Sequence, residues 1–82
     1  MNLLQHKVDE ALSLLKDAIC EVIANGDPRG VYPNQVRDEI GLAGPDNPFA
    51  GVIYAVITAM TLSGELEKSD DVPARYTVMR HH

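Results

Sequence analysis

The chain has 82 residues, of which 45% are hydrophobic, and a formal net charge of −5 at pH 7. This length suits one small domain with a thin margin of stability, and the composition excludes a disordered chain. The negative charge argues against a protein that holds nucleic acid by its overall charge, because phosphate binding depends on Lys and Arg. Cys20 stands alone, which excludes an internal disulfide.

We expect a single domain over residues 1–80, followed at His81 and His82 by the remnant of a purification tag. The sequence shows neither a cleavable signal segment nor an apolar run long enough to cross a bilayer. We therefore expect a cytoplasmic protein.

Apolar residues at helical spacing predict a first helix over residues 3–24, about six turns long, ended by Asn25 and Gly26. Its apolar stripe comprises Leu4, Val8, Ala11, Leu12, Leu15, Ile19, Val22 and Ile23. Leu3 and Leu14 lie to one side of that stripe and widen the apolar face to about half of the circumference. Two interpretations stay open: the two leucines cover the edge of the core, or they form a dimer contact between helices.

A loop rich in Pro and Gly leads, through a very short extended piece at Val31, to a second helix of about two turns. Pro33 suits its first turn, and Val36 faces inward. Gly41 ends the helix, and Leu42 beyond it can pack back on the helix end.

Asn47 and Pro48 predict the N-cap and first position of a third helix, which Gly64 ends. The core-facing stripe is Phe49, Ile53, Val56, Ile57 and Met60. The opposite side consists of Gly51, Tyr54, Ala55, Thr58 and Leu62. Because this side carries no charge, we expect it to meet another surface rather than water. The alternative is that the long first helix folds back over part of it.

After Gly64 the apolar residues no longer recur at helical spacing but at every second position. Leu66, Tyr76 and Val78 alternate with polar residues, which predicts two short half-buried strands. Residues 69–74 are polar and contain a proline, so they form the loop of a hairpin.

Taken in order, residues 30–42, 57–66 and 75–78 resemble the short strand, second helix, third-helix end and wing of winged helix-turn-helix domains. The resemblance implies an α+β fold: three helices followed by a C-terminal two-stranded β-hairpin wing. It also implies that the exposed side of residues 47–63 enters the major groove of DNA while the hairpin touches the neighbouring backbone.

The resemblance and the exposed positions together give one set of candidate residues for binding nucleic acid or a partner. They are Arg29, Asn34, Gln35, Arg37, Asn47, Gly51, Tyr54, Ala55, Thr58, Lys68 and Arg75. The outer side of the third helix differs from the recognition helix of a DNA-binding protein, since it lacks the Arg, Lys, Asn and Gln side chains that bind base edges. The small residues Gly51, Ala55 and Ala59 instead let a second helix or strand approach closely.

We find no catalytic constellation. Cys20 and His6 lie about 21 Å apart along one helix, too far for a thiolate–imidazole pair, and no residues show the spacing of a metal or phosphate site. We expect a non-catalytic binding domain without metal or cofactor. The first hypothesis is a small DNA-associated transcription regulator, acting as a homodimer or with a partner. The alternative is a protein–protein interaction module that does not contact DNA.

Overall fold

The computed structural model describes residues 3–42, 44 and 46–79, so the predicted tag at His81 and His82 lies outside the described residues. Three helices precede two short antiparallel strands. Their bounds are α1 Leu3–Asn25, α2 Pro33–Ile40, α3 Ala50–Leu62, β1 Leu66–Lys68 and β2 Tyr76–Val78. This α+β arrangement, with a hairpin after the last helix, confirms the predicted winged helix-turn-helix fold class.

The hairpin carries a third extended segment. β1 and β2 pair with Leu66 opposite Val78 and Lys68 opposite Tyr76. Val31 forms an antiparallel bridge to the other edge of β2: its N–H donates to the Tyr76 carbonyl at 2.9 Å, and the Tyr76 N–H donates to the Val31 carbonyl at 2.9 Å. The extended piece predicted at Val31 therefore ties the loop between α1 and α2 to the wing.

The core receives side chains from all three helices, the loop before α2 and the hairpin. Its buried members are Ile19, Ile23, Val31, Val36, Ile53, Val56, Ile57, Met60 and Leu66. Four of the five residues predicted for the core-facing stripe of α3 are among them: Ile53, Val56, Ile57 and Met60. Among the described residues no polar or charged side chain is buried, so burial of aliphatic surface is the main source of stability.

Both ends of α2 form as the sequence predicts. Pro33 opens the helix, and the N–H of the residue before it donates to the Gln35 Oε1 at 3.0 Å. At the other end Gly41 takes a φ of 90°, which only glycine adopts without strain. The N–H of Leu42 then donates to the Arg37 carbonyl at 3.0 Å, and the leucine side chain packs against the core.

The predicted start of α3 is wrong. The helix begins at Ala50 rather than at Pro48, because the backbone before it forms turn bonds three residues apart: the N–H of Ala50 donates to the Asn47 carbonyl at 3.3 Å and the N–H of Val52 donates to the Phe49 carbonyl at 3.0 Å. The Asn47 Oδ1 accepts the N–H of Phe49 at 2.9 Å, the hydrogen bond that a capping side chain makes. The predicted core position of Phe49 is also wrong, since this side chain precedes the helix and is 61% exposed.

The two halves of α1 differ in burial. Ile19 and Ile23 are buried, whereas every residue from Leu3 to Leu14 is exposed. We call residues 3–14 the arm. Of the helices described, none combines the length and apolar character needed to cross a membrane.

Candidate binding surfaces

The first surface is the side of α3 turned away from the core, which we call the outer face: Gly51, Tyr54, Ala55, Thr58 and Leu62. All five residues are exposed; Tyr54 retains 39% of its accessible surface and Leu62 retains 85%. The alternative that α1 folds over this face is therefore wrong for these positions. The outer face is open to a partner.

The outer face carries no charged residue along its whole length. The segment Ala50–Leu62 contains no acidic or basic residue. Val52 and Ala59, both exposed, flank the outer face on one side. Solvated helix faces are normally rich in charge, so this composition is typical of a surface that another molecule covers.

The polar groups of α3 are largely engaged within the domain. The Thr58 Oγ1 donates to the Tyr54 carbonyl at 2.9 Å, and the Thr61 Oγ1 donates to the Ile57 carbonyl at 2.8 Å. The Tyr54 hydroxyl accepts a hydrogen bond from the Arg37 Nη1 at 3.2 Å, which links α2 to α3. Few donors are thus left on this helix to read the edges of DNA bases.

Two arginines of the candidate binding set already have acidic partners. The Arg29 Nη2 lies 2.8 Å from the Asp27 Oδ2, and the Arg37 Nη2 lies 3.0 Å from the Asp38 Oδ1. Hydrogen bonds from Arg29 lower the pKa of the Asp27 carboxyl to about 2, and Asp27 in turn raises the pKa of Arg29. Binding of either arginine to a phosphate would compete with these carboxylates.

Arg75 has a structural role at the base of the wing. Its Nε donates to the Tyr32 hydroxyl at 3.0 Å, and its guanidinium carbon lies 4.8 Å from the centre of the Tyr32 ring. Its Nη1 also lies 3.9 Å from the Asp27 Oδ2. Because the Arg75 side chain is largely covered, it joins the wing to the loop before α2 rather than projecting toward a ligand.

The wing itself is more acidic than basic. Lys68 is exposed and forms no ion pair with any described residue. Asp70 and Asp71 are exposed at the tip. The Ser69 Oγ accepts the N–H of Arg75 at 2.9 Å and closes the loop. With Glu67, exposed on β1, the wing would therefore offer a DNA backbone one unpaired cation and three carboxylates.

The remaining predicted residues fall on α2 and the loop before α3. Asn34 and Gln35 are exposed on the first turn of α2, where the Gln35 amide oxygen serves the helix start. Asn47 is half-buried and holds the turn before α3. The structure thus gives Gln35 and Asn47 local hydrogen bonds within the domain.

The second surface is the arm. Leu3 is 81% exposed and Leu14 is 63% exposed, so the interpretation that they cover the edge of the core is wrong. Leu4, Val8 and Leu12 are exposed as well. A dimer contact at Leu3 and Leu14 stays a prediction.

Among the described residues, no group of three or more His, Cys, Asp or Glu side chains could hold a metal ion. Cys20 is half-buried against the core, and burial raises the pKa of its thiol. A protonated thiol is a poor nucleophile and a poor metal ligand.

Comparisons of the chain with protein-family models, curated proteins and solved structures found no match. The surfaces therefore have to be interpreted from their own chemistry. Sequence reasoning missed Val52 and Phe49 as exposed apolar residues. Val52 could have been found, because it lies about 100° from Ile53 on the helix, at the margin of the core-facing stripe. The exposure of Phe49 depends on the turn at Asn47, which the sequence pattern alone did not indicate.

Proposed function

We propose that this chain is a non-catalytic binding domain of the winged helix-turn-helix superfamily that acts as a homodimer and docks its α3 outer face on a protein partner. One observation carries the docking proposal: a helix without a single charged residue exposes a continuous apolar side that includes Tyr54 and Leu62. The order of helices and hairpin supports membership of the superfamily.

The shape of the outer face favours a helix as the partner element. Gly51, Ala55 and Ala59 follow one another at intervals of four residues and form a shallow groove along α3. A Cβ added at Gly51 would meet no atom within 4 Å, so this end of the groove is open. Tyr54 and Val52 border the groove on opposite sides. An amphipathic helix laid in such a groove gains contact area and buries its own apolar side chains.

Photo-crosslinking in cells that carry the natural gene tests the docking proposal. A photoreactive phenylalanine analogue at Thr58 should capture one discrete protein, whereas the same analogue at Glu39, exposed on α2, should not. The captured protein is then purified and titrated. Thr58→Glu should weaken its binding at least about tenfold, because a carboxylate would be desolvated in the groove. Equal capture from both positions, or unchanged binding by Thr58→Glu, would refute this use of the face.

DNA association is the second candidate, and the position of Lys68 favours it. This exposed lysine lies on β1, directly after the turn that ends α3, where a winged helix would touch the DNA backbone. Fluorescence anisotropy with a mixed-sequence duplex at low and high salt tests this candidate. Saturable binding that falls with salt and is weakened by Lys68→Ala would favour DNA over the protein partner. We expect flat anisotropy, because Arg29 and Arg37 are already paired with carboxylates.

A further inference from the structure

The arm is a helical segment that lacks a covering surface. It is about 18 Å long, and every one of its residues is exposed. A helix of about three turns is marginal in water when nothing packs against it. Leu3 and Leu14 nevertheless point outward from it, at 81% and 63% exposure. We propose that a second copy of this chain covers the arm, with the two arms packed antiparallel about a two-fold axis.

Four residues of the arm form the seam of such a pair. Leu3, Lys7, Glu10 and Leu14 follow at intervals of four, three and four residues, the spacing of the contact positions in a coiled coil. At 100° per residue these positions lie about 150° around the helix from Ile19 and Ile23. Because those two isoleucines point into the core, the seam faces away from the body of its own chain. A partner can approach without meeting that body.

The seam is complementary to itself only when the two arms run in opposite directions. A two-fold axis at the middle of the arm places Leu3 against Leu14 of the second copy and Lys7 against Glu10 of the second copy. Each pair occurs twice, as the symmetry of an isologous contact requires. A parallel pair would instead oppose Lys7 to Lys7 and Glu10 to Glu10, which is repulsive.

The charges of the seam are available for this pairing. Lys7 and Glu10 are exposed, and neither forms an ion pair within the part of the chain that the structure describes. On the flank of the seam, Leu4 comes near Ala11 of the second copy and adds apolar contact. The arms alone bury less than the roughly 800 Å² per partner of a standard interface. We therefore expect a reversible dimer whose population rises with concentration.

Sedimentation velocity on the full chain over a wide range of concentrations tests the location of the contact. The inference rests on the homodimer of the proposed function and adds its geometry. Leu14→Ser should weaken the dimer at least about tenfold, since it removes two of the four leucines in the seam. Val72→Ser is the control, because it changes an exposed apolar side chain of the wing loop, outside both the arm and the outer face, and should leave the dimer unchanged.

Charge reversal tests the direction of the arms. Lys7→Glu and Glu10→Lys should each weaken the dimer by about threefold to thirtyfold, because each replaces two attractive pairs by two repulsive ones. The double variant should restore the dissociation constant to within about twofold. Mixing the two single variants should give a heterodimer tighter than either homodimer. Both positions are exposed, and far-UV circular dichroism of dilute samples verifies that each variant folds.

The possible outcomes separately test the existence of the homodimer, the location of its contact and the direction of the two arms. A chain that stays monomeric at millimolar concentration would refute both the homodimer and the arm pairing. A dimer weakened by Leu62→Ser, in the outer face, but not by Leu14→Ser would refute the arm pairing and place the contact on α3. A dimer that the double charge reversal fails to restore would overturn the antiparallel arrangement and leave the homodimer of the proposed function standing.

Discussion

The arm and the second half of α1 belong to one continuous helix with one apolar period, yet only the second half is packed. Ile19 and Ile23 are buried beneath α2, α3 and the hairpin, whereas Leu4 and Val8, which continue the same stripe, are exposed. The side-chain chemistry of the two halves is similar. What differs is how far the other elements cover the helix: they bury the second half, whereas they leave the arm exposed even where Leu12 and Ser13 lie near Glu65. An apolar stripe marks which side of a helix can be covered, and the extent of the remaining fold decides how much of it is covered.

The largest expected effect separates the two halves directly. Ile19→Ala should lower the free energy of unfolding by about 2–5 kcal/mol, because it leaves a cavity in the core. Val8→Ala should lower it by less than about 0.5 kcal/mol, because this side chain is already exposed. Urea unfolding of dilute protein, followed by far-UV circular dichroism, measures both changes. A cost above about 1 kcal/mol for Val8→Ala would show that the arm packs within the monomer.

The loop before α2 and the wing approach each other closely at Gly30. Gly30 has a φ of 122°, and an added Cβ there would lie 2.6 Å from the Arg75 Cβ, at the junction of loop and wing. Gly30→Ala should therefore destabilise the domain by about 2–4 kcal/mol through backbone strain and steric overlap.

Gly41→Ala is the matched control for Gly30→Ala. Its φ is 90°, but its Cβ would meet nothing within 4 Å, so backbone strain of about 1–2 kcal/mol is the whole expected cost. Thermal unfolding of both variants gives the comparison. Equal losses would mean that the wing moves away from the loop at little cost.

Sequence reasoning was accurate where the signal is local and periodic. The stripe from Ile53 to Met60, the cap at Gly41 and the pair of strands all follow from spacing or from backbone conformations that single residues favour. The outer face of α3 was predicted for the same reason, since the lack of charge on one side of a helix is visible in the sequence.

The rest depends on contacts between distant residues or on competition between local ones. No pattern indicates that the Arg37 guanidinium reaches the Tyr54 hydroxyl, because the two residues lie on different helices. The late start of α3 depends on the backbone between Asn47 and Val52, which forms turn hydrogen bonds three residues apart despite the helix-start signal of Asn47 and Pro48. The exposure of the arm depends on how far the other elements cover α1, which periodicity does not encode.

A smaller effect probes helix formation in the two halves of α1. Ala18 is half-buried in the packed half, and Ala18→Gly should cost about 1 kcal/mol of global stability through backbone entropy. Ala11 lies in the arm, which can fray before the domain unfolds, so Ala11→Gly in dilute protein should cost only a few tenths of a kcal/mol. Hydrogen exchange checks this directly, since arm amides should exchange much faster than those near Ile19. Comparable losses for the two variants would contradict an arm that opens independently.

The smallest expected effect is a pH-dependent contribution of Asp27 to the stability of the packed half of the molecule. Hydrogen bonds from Arg29 lower the pKa of Asp27 to about 2, below the value of about 4 expected in the unfolded chain. A carboxyl with a depressed folded-state pKa stabilises the fold at pH values above the unfolded pKa, and this contribution is lost as the pH falls through the folded value. The difference in melting temperature between wild type and Asp27→Asn should therefore be constant above about pH 5 and shrink between about pH 4 and pH 2. Because Asp27 is exposed, the change should be small. A difference for Asp27→Asn that does not shrink toward pH 2 would mean that the ion pair with Arg29 adds nothing to the stability of the turn that ends α1.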